Sequence, residues 1–93
     1  MTTIGENAFR ENINIINVII GSNVSKIGFC SFLSCTNLGT VYCKAAVPPV
    51  GSQSMFSTNA PDRKIYVPIG SGDAYKEADH WKDYATYIEE KGM

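Results

Sequence analysis

Ile4-Gly5-Glu6-Asn7-Ala8-Phe9 returns 23 residues later as Ile27-Gly28-Phe29-Cys30-Ser31-Phe32. The offset persists downstream: Asn14-Ile15 becomes Asn37-Leu38, Val18 becomes Val41, and Ile20 becomes Cys43. A third, looser copy begins at Val50-Gly51. It returns at Phe56 and Ile65-Tyr66-Val67, now 24 residues on, with the extra residue placed near Met55-Phe56. At least six positions match in phase, which chance similarity between two apolar segments does not produce. A repeat of this length marks stacked coils. No coil buries its own apolar edge, and stacking joins those edges into one core.

Each unit reads the same way. Ile4, Ala8 and Phe9 have the spacing of a short helical turn with one greasy edge. Gly5 and Gly28 stand where a tight backbone bend is expected. Polar turn residues follow, Glu11-Asn12 and Ser34-Cys35-Thr36, and then a strand. Alternation in Val18-Ile19-Ile20 and Val41-Tyr42-Cys43 is the period of a strand, with Ile15, Val18, Ile20 and Leu38, Val41, Cys43 inward. Pro48-Pro49 replaces the usual turn in the third coil. Residues 57–63 read as a loop, and Lys64 to Val67 as the last strand, at an edge because Pro68 ends it.

The final quarter changes character. Ser71 reads as a helix N-cap with Asp73 in the first turn, for a helix from about Gly72 to Asp79. Trp81, Tyr84, Ala85 and Ile88 then share one face of a second helical turn that covers the last coil. Glu77, Asp79, Asp83, Glu89 and Glu90, interleaved with Lys76, Lys82 and Lys91, read as a solvated helix face rather than a carboxylate pair. The fold class expected is an α/β repeat solenoid. It is a short right-handed coil with parallel strands on one face, with coils at about 4–26, 27–49 and 50–68. A helical C-terminal cap covers 69–93.

Composition excludes several functions. Ninety-three residues make one small domain, which buries roughly 60–65 % of its unfolded surface. Net charge is −1 with both signs interspersed, which argues against nucleic acid and anionic membranes. The longest apolar run, Ile13 to Ile20, is broken by Asn14 and Asn17 and is too short to insert in a bilayer. No basic segment or apolar h-region follows Met1-Thr2-Thr3. The chain therefore reads as a cytoplasmic product or as a fragment of a longer secreted protein, and the uncapped first coil favours the fragment.

The combined pattern resembles the BspA-type leucine-rich repeat. Ile-Gly-x-x-Ala-Phe followed by Cys-Thr-Asn-Leu-x-x-Val carries the likeness. Val41-Tyr42-Cys43-Lys44 to Pro48-Pro49, Lys64-Ile65-Tyr66-Val67-Pro68, Asp73-Ala74-Tyr75-Lys76 and Trp81-x-x-Tyr84-Ala85 are similar to the end of many such proteins from gut and oral anaerobic bacteria. The resemblance implies a surface or secreted protein with longer repeat arrays. Some members are adhesins that bind host matrix proteins or other bacteria, and the family has no common catalytic residues.

Chemistry is sparse. Cys30, Cys35 and Cys43 are an odd number and read as buried apolar fillers. Their spacing does not match a zinc knuckle, and His80 is the only histidine. A Cys-His nucleophile is less economical than a solvent-facing His80. Gly70-Ser71-Gly72 lacks the further glycines and lysine of a phosphate loop. No catalytic residue, cofactor or metal is implied. Two surfaces remain. Asn17, Ile19, Thr40, Tyr42, Lys64 and Tyr66 alternate outward on the strand face. They form either a recognition stripe for a protein or glycan ligand or a stack that only stabilises the sheet. Ile4, Phe9, Ile15, Val18 and Ile20 belong to a first coil with no coil before it, an open end that predicts self-association into a homo-oligomer.

Overall fold

The computed structural model describes residues 2–92, and Met1 and Met93 lie outside the described residues. Thr3–Ile4 (β1) and Lys26–Ile27 (β3) form a short parallel pair. Asn17–Ile20 (β2), Thr40–Cys43 (β4), Lys64–Val67 (β5) and Ile88–Glu90 (β6) form a parallel four-stranded sheet in the order β2-β4-β5-β6. Each strand pairs with its counterpart in the next unit: Asn17 with Thr40, Thr40 with Lys64, and Ile65 with Ile88. Parallel neighbours one repeat apart are what stacked coils produce.

The turn layer is not helical. Asn7, Glu11, Cys30, Ser34, Ser54 and Thr58 all have positive φ, so a left-handed residue interrupts the backbone at every fourth position. The N–H groups alternate. Those of Ala8, Arg10 and Asn12 donate three residues back, while those of Asn7, Phe9 and Glu11 cross to Phe29, Ser31 and Leu33 of the next coil. Cys30, Phe32 and Ser34 repeat the crossing onto Gln53, Met55 and Ser57. Apolar spacing alone predicts a helix here. Bonds between coils offset the cost of the left-handed residues, about 1–2 kcal/mol each outside glycine.

The extra residue of the third coil lies earlier than the sequence suggests. Ile20 pairs with Cys43 at an offset of 23, but Lys26 bridges Val50 at 24. The insertion therefore falls between Cys43 and Val50, and Gly51 occupies the place of Ile27 rather than that of Gly28. This segment holds Pro48-Pro49 and cannot continue a ladder. Its carbonyls are taken instead by side chains of the tail. Tyr75 Oη donates to Ala45 O at 2.6 Å, Ser71 Oγ to Ala46 O at 2.9 Å, and Trp81 Nε1 to Pro49 O at 2.8 Å.

The tail departs from expectation in three places. Helix α1 covers Gly72–Glu77 rather than reaching Asp79, and Ser71 does not cap it by side chain, because its hydroxyl is spent on Ala46. The Glu90 carboxylate instead accepts the Gly72 N–H at 2.9 Å, placing its negative charge at the start of the helix. A 3₁₀ segment, Lys82–Tyr87, replaces the second helical turn. The chain then returns to the sheet as β6, so Ile88, Glu89, Glu90 and Lys91 are not on a helix. β5 is consequently interior, contrary to the edge position inferred from Pro68. That proline falls just beyond β5, where its missing N–H costs the ladder nothing.

An aromatic column runs through the core. Phe9 stacks on Phe32 with centroids 5.3 Å apart, and Phe32 on Phe56 at 5.4 Å. Trp81 and Tyr84 then meet Phe56 at 5.7 Å in tilted and edge-on contacts, and Tyr75 meets Trp81 edge-on at 4.8 Å. Phe32, Phe56, Tyr75 and Trp81 are essentially buried, whereas Phe9 is 37 % exposed. The column is covered at its C-terminal end and bare at the other.

Candidate functional site

The outward side of the sheet carries two predicted rows. Asn17, Thr40 and Lys64 lie in register, as do Ile19, Tyr42 and Tyr66. The Tyr42 and Tyr66 rings stack with centroids 5.4 Å apart and planes at 24°. Both remain partly exposed, and Ile19 is 65 % exposed beside them. β6 adds residues that the sequence reading left off the face. Glu89 pairs with Tyr66 across the ladder and holds the Lys64 ammonium at 2.9 Å. That carboxylate keeps Lys64 above the usual lysine range. Lys91 Nζ stands 5.0 Å from the Tyr66 ring centroid. The missed signal is the repeat itself: Ile65-Tyr66-Val67 recurs as Ile88-Glu89-Glu90 at an offset of 23.

At the N-terminal end, Ile4, Phe9, Ile15 and Val18 line an open depression of about 320 Å³ with Asn17, Ile19 and Phe32. Ile20 is buried and offers nothing to a partner there. The end has a chemical polarity. In each coil-to-coil contact of the turn layer the earlier coil donates N–H and the later coil accepts on C=O. The first coil therefore turns the carbonyls of Glu6, Ala8 and Arg10, equivalent to those of Phe29, Ser31 and Leu33, toward the open side. At the other end, the donor Phe56 N–H is met by Tyr84 Oη at 3.2 Å.

All three cysteines are free and buried, as fillers are expected to be, and two of them also hydrogen-bond. Cys35 Sγ donates to Phe9 O at 2.9 Å, and Asn59 Nδ2 does the same one coil on, to Phe32 O at 2.9 Å. Tyr75 gives its proton to Ala45 O, so the Cys43 thiol is the donor in their 3.0 Å contact. Burial pushes both thiols above the ordinary cysteine range, and burial with the neighbouring Cys43 pushes the Tyr75 phenol up. Raised values disfavour the thiolate that nucleophilic chemistry requires. His80, at positive φ, lies instead against Gly51.

Parallel strands one repeat apart, an aromatic column and a turn layer that hydrogen-bonds from coil to coil define a leucine-rich-repeat type of solenoid. The chain belongs to the BspA-type leucine-rich-repeat family, whose model (BspA type leucine rich repeat region) matches residues 1–72. No curated protein matches the chain. Proteins of this repeat class are generally interaction modules and generally not enzymes.

Proposed function

We propose that the chain is a non-catalytic protein- or glycan-interaction module of a surface or secreted repeat protein, acting in adhesion through its open strand face. The observation that carries this reading is the Tyr42–Tyr66 stack, which stays partly exposed on the outward strand face while Phe32, Phe56, Tyr75 and Trp81 are buried. Tyrosine at such a place combines a large rigid surface with a polar tip and little entropy to lose. The test is a panel of purified proteins and glycans probed with the wild-type chain and with the Tyr42→Ser/Tyr66→Ser variant. Any ligand retained by the wild type should be lost by the variant, and undiminished binding would end the reading.

A second reading makes the chain the C-terminal capping module of a longer array. The turn layer favours it, since its donor Phe56 N–H is met by Tyr84 at the C-terminal end while the acceptor carbonyls of its first turn face the open side. Gly5 favours it too. A Cβ at Gly28 would collide with the backbone of the preceding coil, whereas one at Gly5 meets nothing within 4 Å among the described residues. A glycine at Gly5 has a packing purpose only when another coil lies over it. Without such a coil, the same end takes a second copy. A two-fold axis would set β2 against its own antiparallel copy, where N–H and C=O alternate and complement each other. Self-association at micromolar concentration is the expected result in analytical ultracentrifugation, weakened by Ile19→Lys. A sharp monomer at every concentration would count against it.

A further inference from the structure

Resting on that reading of the open face, we propose that its partner is an acidic segment of another protein, received between Lys44 and Lys91 over the edges of the tyrosine stack. The geometry of the rings is the starting point. Tyr42 and Tyr66 turn one face of each ring to the other. Lys91, just beyond β6 on the far side of β5, covers Tyr66. Ile19 stands next to Tyr42 in the ladder. Sugar rings dock on the negative faces of aromatic rings through their polarised C–H bonds, and here the inner faces of both rings and the outer face of Tyr66 are engaged within the protein. Most of what the stack presents to solvent is therefore ring edges and hydroxyls. Ring edges carry the positive part of the quadrupole, so they favour anionic groups.

The charges around the stack agree. Lys44 is exposed and continues the β4 ladder by donating its N–H to Ile20 O, and Lys91 continues β6 by donating to Val67 O. Extension of the register places Pro68 between them, so the two lysines flank an uncharged position at two strand spacings, about 10 Å along the sheet. Glu89 is the anion within the outward rows, and it is engaged by Lys64. Glu90 is engaged at Gly72. With Lys64 paired to Glu89 and the Glu90 carboxylate turned to the Gly72 N–H, Lys44 and Lys91 still outnumber the one unpaired anion and leave a local positive excess on a chain whose net charge is −1. Exposed Ile19 and the partly exposed tyrosines supply the apolar centre that a protein interface uses. An anionic glycan would match the lysines but not this centre.

The test is nuclear magnetic resonance titration of the whole chain with four probes: a short peptide of alternating Glu and Ser, its Lys-Ser counterpart, a heparin fragment and a neutral chitin oligomer. The acidic peptide should give saturable shifts at Ile19, Tyr42, Lys44, Tyr66 and Lys91, and the Lys-Ser peptide none. Lys44→Ser/Lys91→Ser should weaken that binding about fivefold, in line with about 1 kcal/mol for a pair of exposed charge contacts. Both lysines are exposed, so the variant keeps its fold. Absence of saturable shifts on this face with the acidic peptide overturns the proposal, as does tighter binding of heparin. Binding of the chitin oligomer there overturns the acidic partner while leaving the recognition face intact. An acidic-peptide response unchanged in Tyr42→Ser/Tyr66→Ser instead removes the tyrosine reading itself.

Discussion

Trp81→Ala should abolish most of the folding stability of this chain. The indole is fully buried, packs on Phe56 and Tyr75, and donates to Pro49 O. Truncating a buried tryptophan costs about 3–5 kcal/mol in lost burial and cavity. Leaving a buried carbonyl without its donor adds about 1–3 kcal/mol. Domains total about 5–15 kcal/mol, and one of this size sits toward the lower end. Urea denaturation followed by circular dichroism should show the variant largely unfolded before denaturant is added. Trp81→Phe separates the two contributions, because it keeps most of the packing and loses the hydrogen bond. A Trp81→Ala midpoint close to wild type would mean that the tail does not hold the last coil.

Gly28→Ala comes next in size, and its effect comes from close approach rather than from backbone freedom. Gly28 is not among the positive-φ residues, so the bend expected from the sequence is not the reason for glycine. An added Cβ would lie 2.6 Å from Glu6 N, 2.6 Å from Gly5 C and 2.8 Å from Ile4 O, all of them backbone. The Gly28 N–H also bonds Ile4 O at 2.7 Å, so the two coils cannot separate without losing that bond. Overpacking of this kind costs about 1–3 kcal/mol and sometimes more. Gly5→Ala is the matched control, with open space around its Cβ. Calorimetry should show a melting temperature lowered several degrees for Gly28→Ala. Gly5→Ala should be nearly unchanged in the isolated chain.

The repeat made the stacking and the inward rows legible, since Val18, Val41 and Ile65 stand in one register column. It made the outward tyrosines legible for the same reason. The turn layer was not, because Asn7, Cys30, Ser34 and Ser54 adopt positive φ without being glycine, and only bonds to the next coil compensate for that. The tail was half legible. Trp81 and Tyr84 signalled a cover for the last coil, but their spacing also fits a helix, which hid the return of Ile88-Glu89-Glu90 to the sheet. Glu89 and Lys91 were missed on the candidate face for that reason. The links from Ser71, Tyr75 and Trp81 to residues 45–49 depend on an insertion whose position only the strand register reveals.

Recognition and stabilisation make different demands on the tyrosine stack. A pair retained for stability would anchor the sheet as Phe32 and Phe56 anchor the core. A pair retained for recognition contributes what a partly exposed stacked pair contributes, about 0.5–1.5 kcal/mol beyond the little area it buries. The most direct measurement is the unfolding free energy of Tyr42→Ser/Tyr66→Ser from urea denaturation, set beside that of wild type and Trp81→Ala. A loss of about 1 kcal/mol, with the transition still cooperative, is the predicted result. A loss as large as that of Trp81→Ala would contradict it and make the stack part of the structural framework.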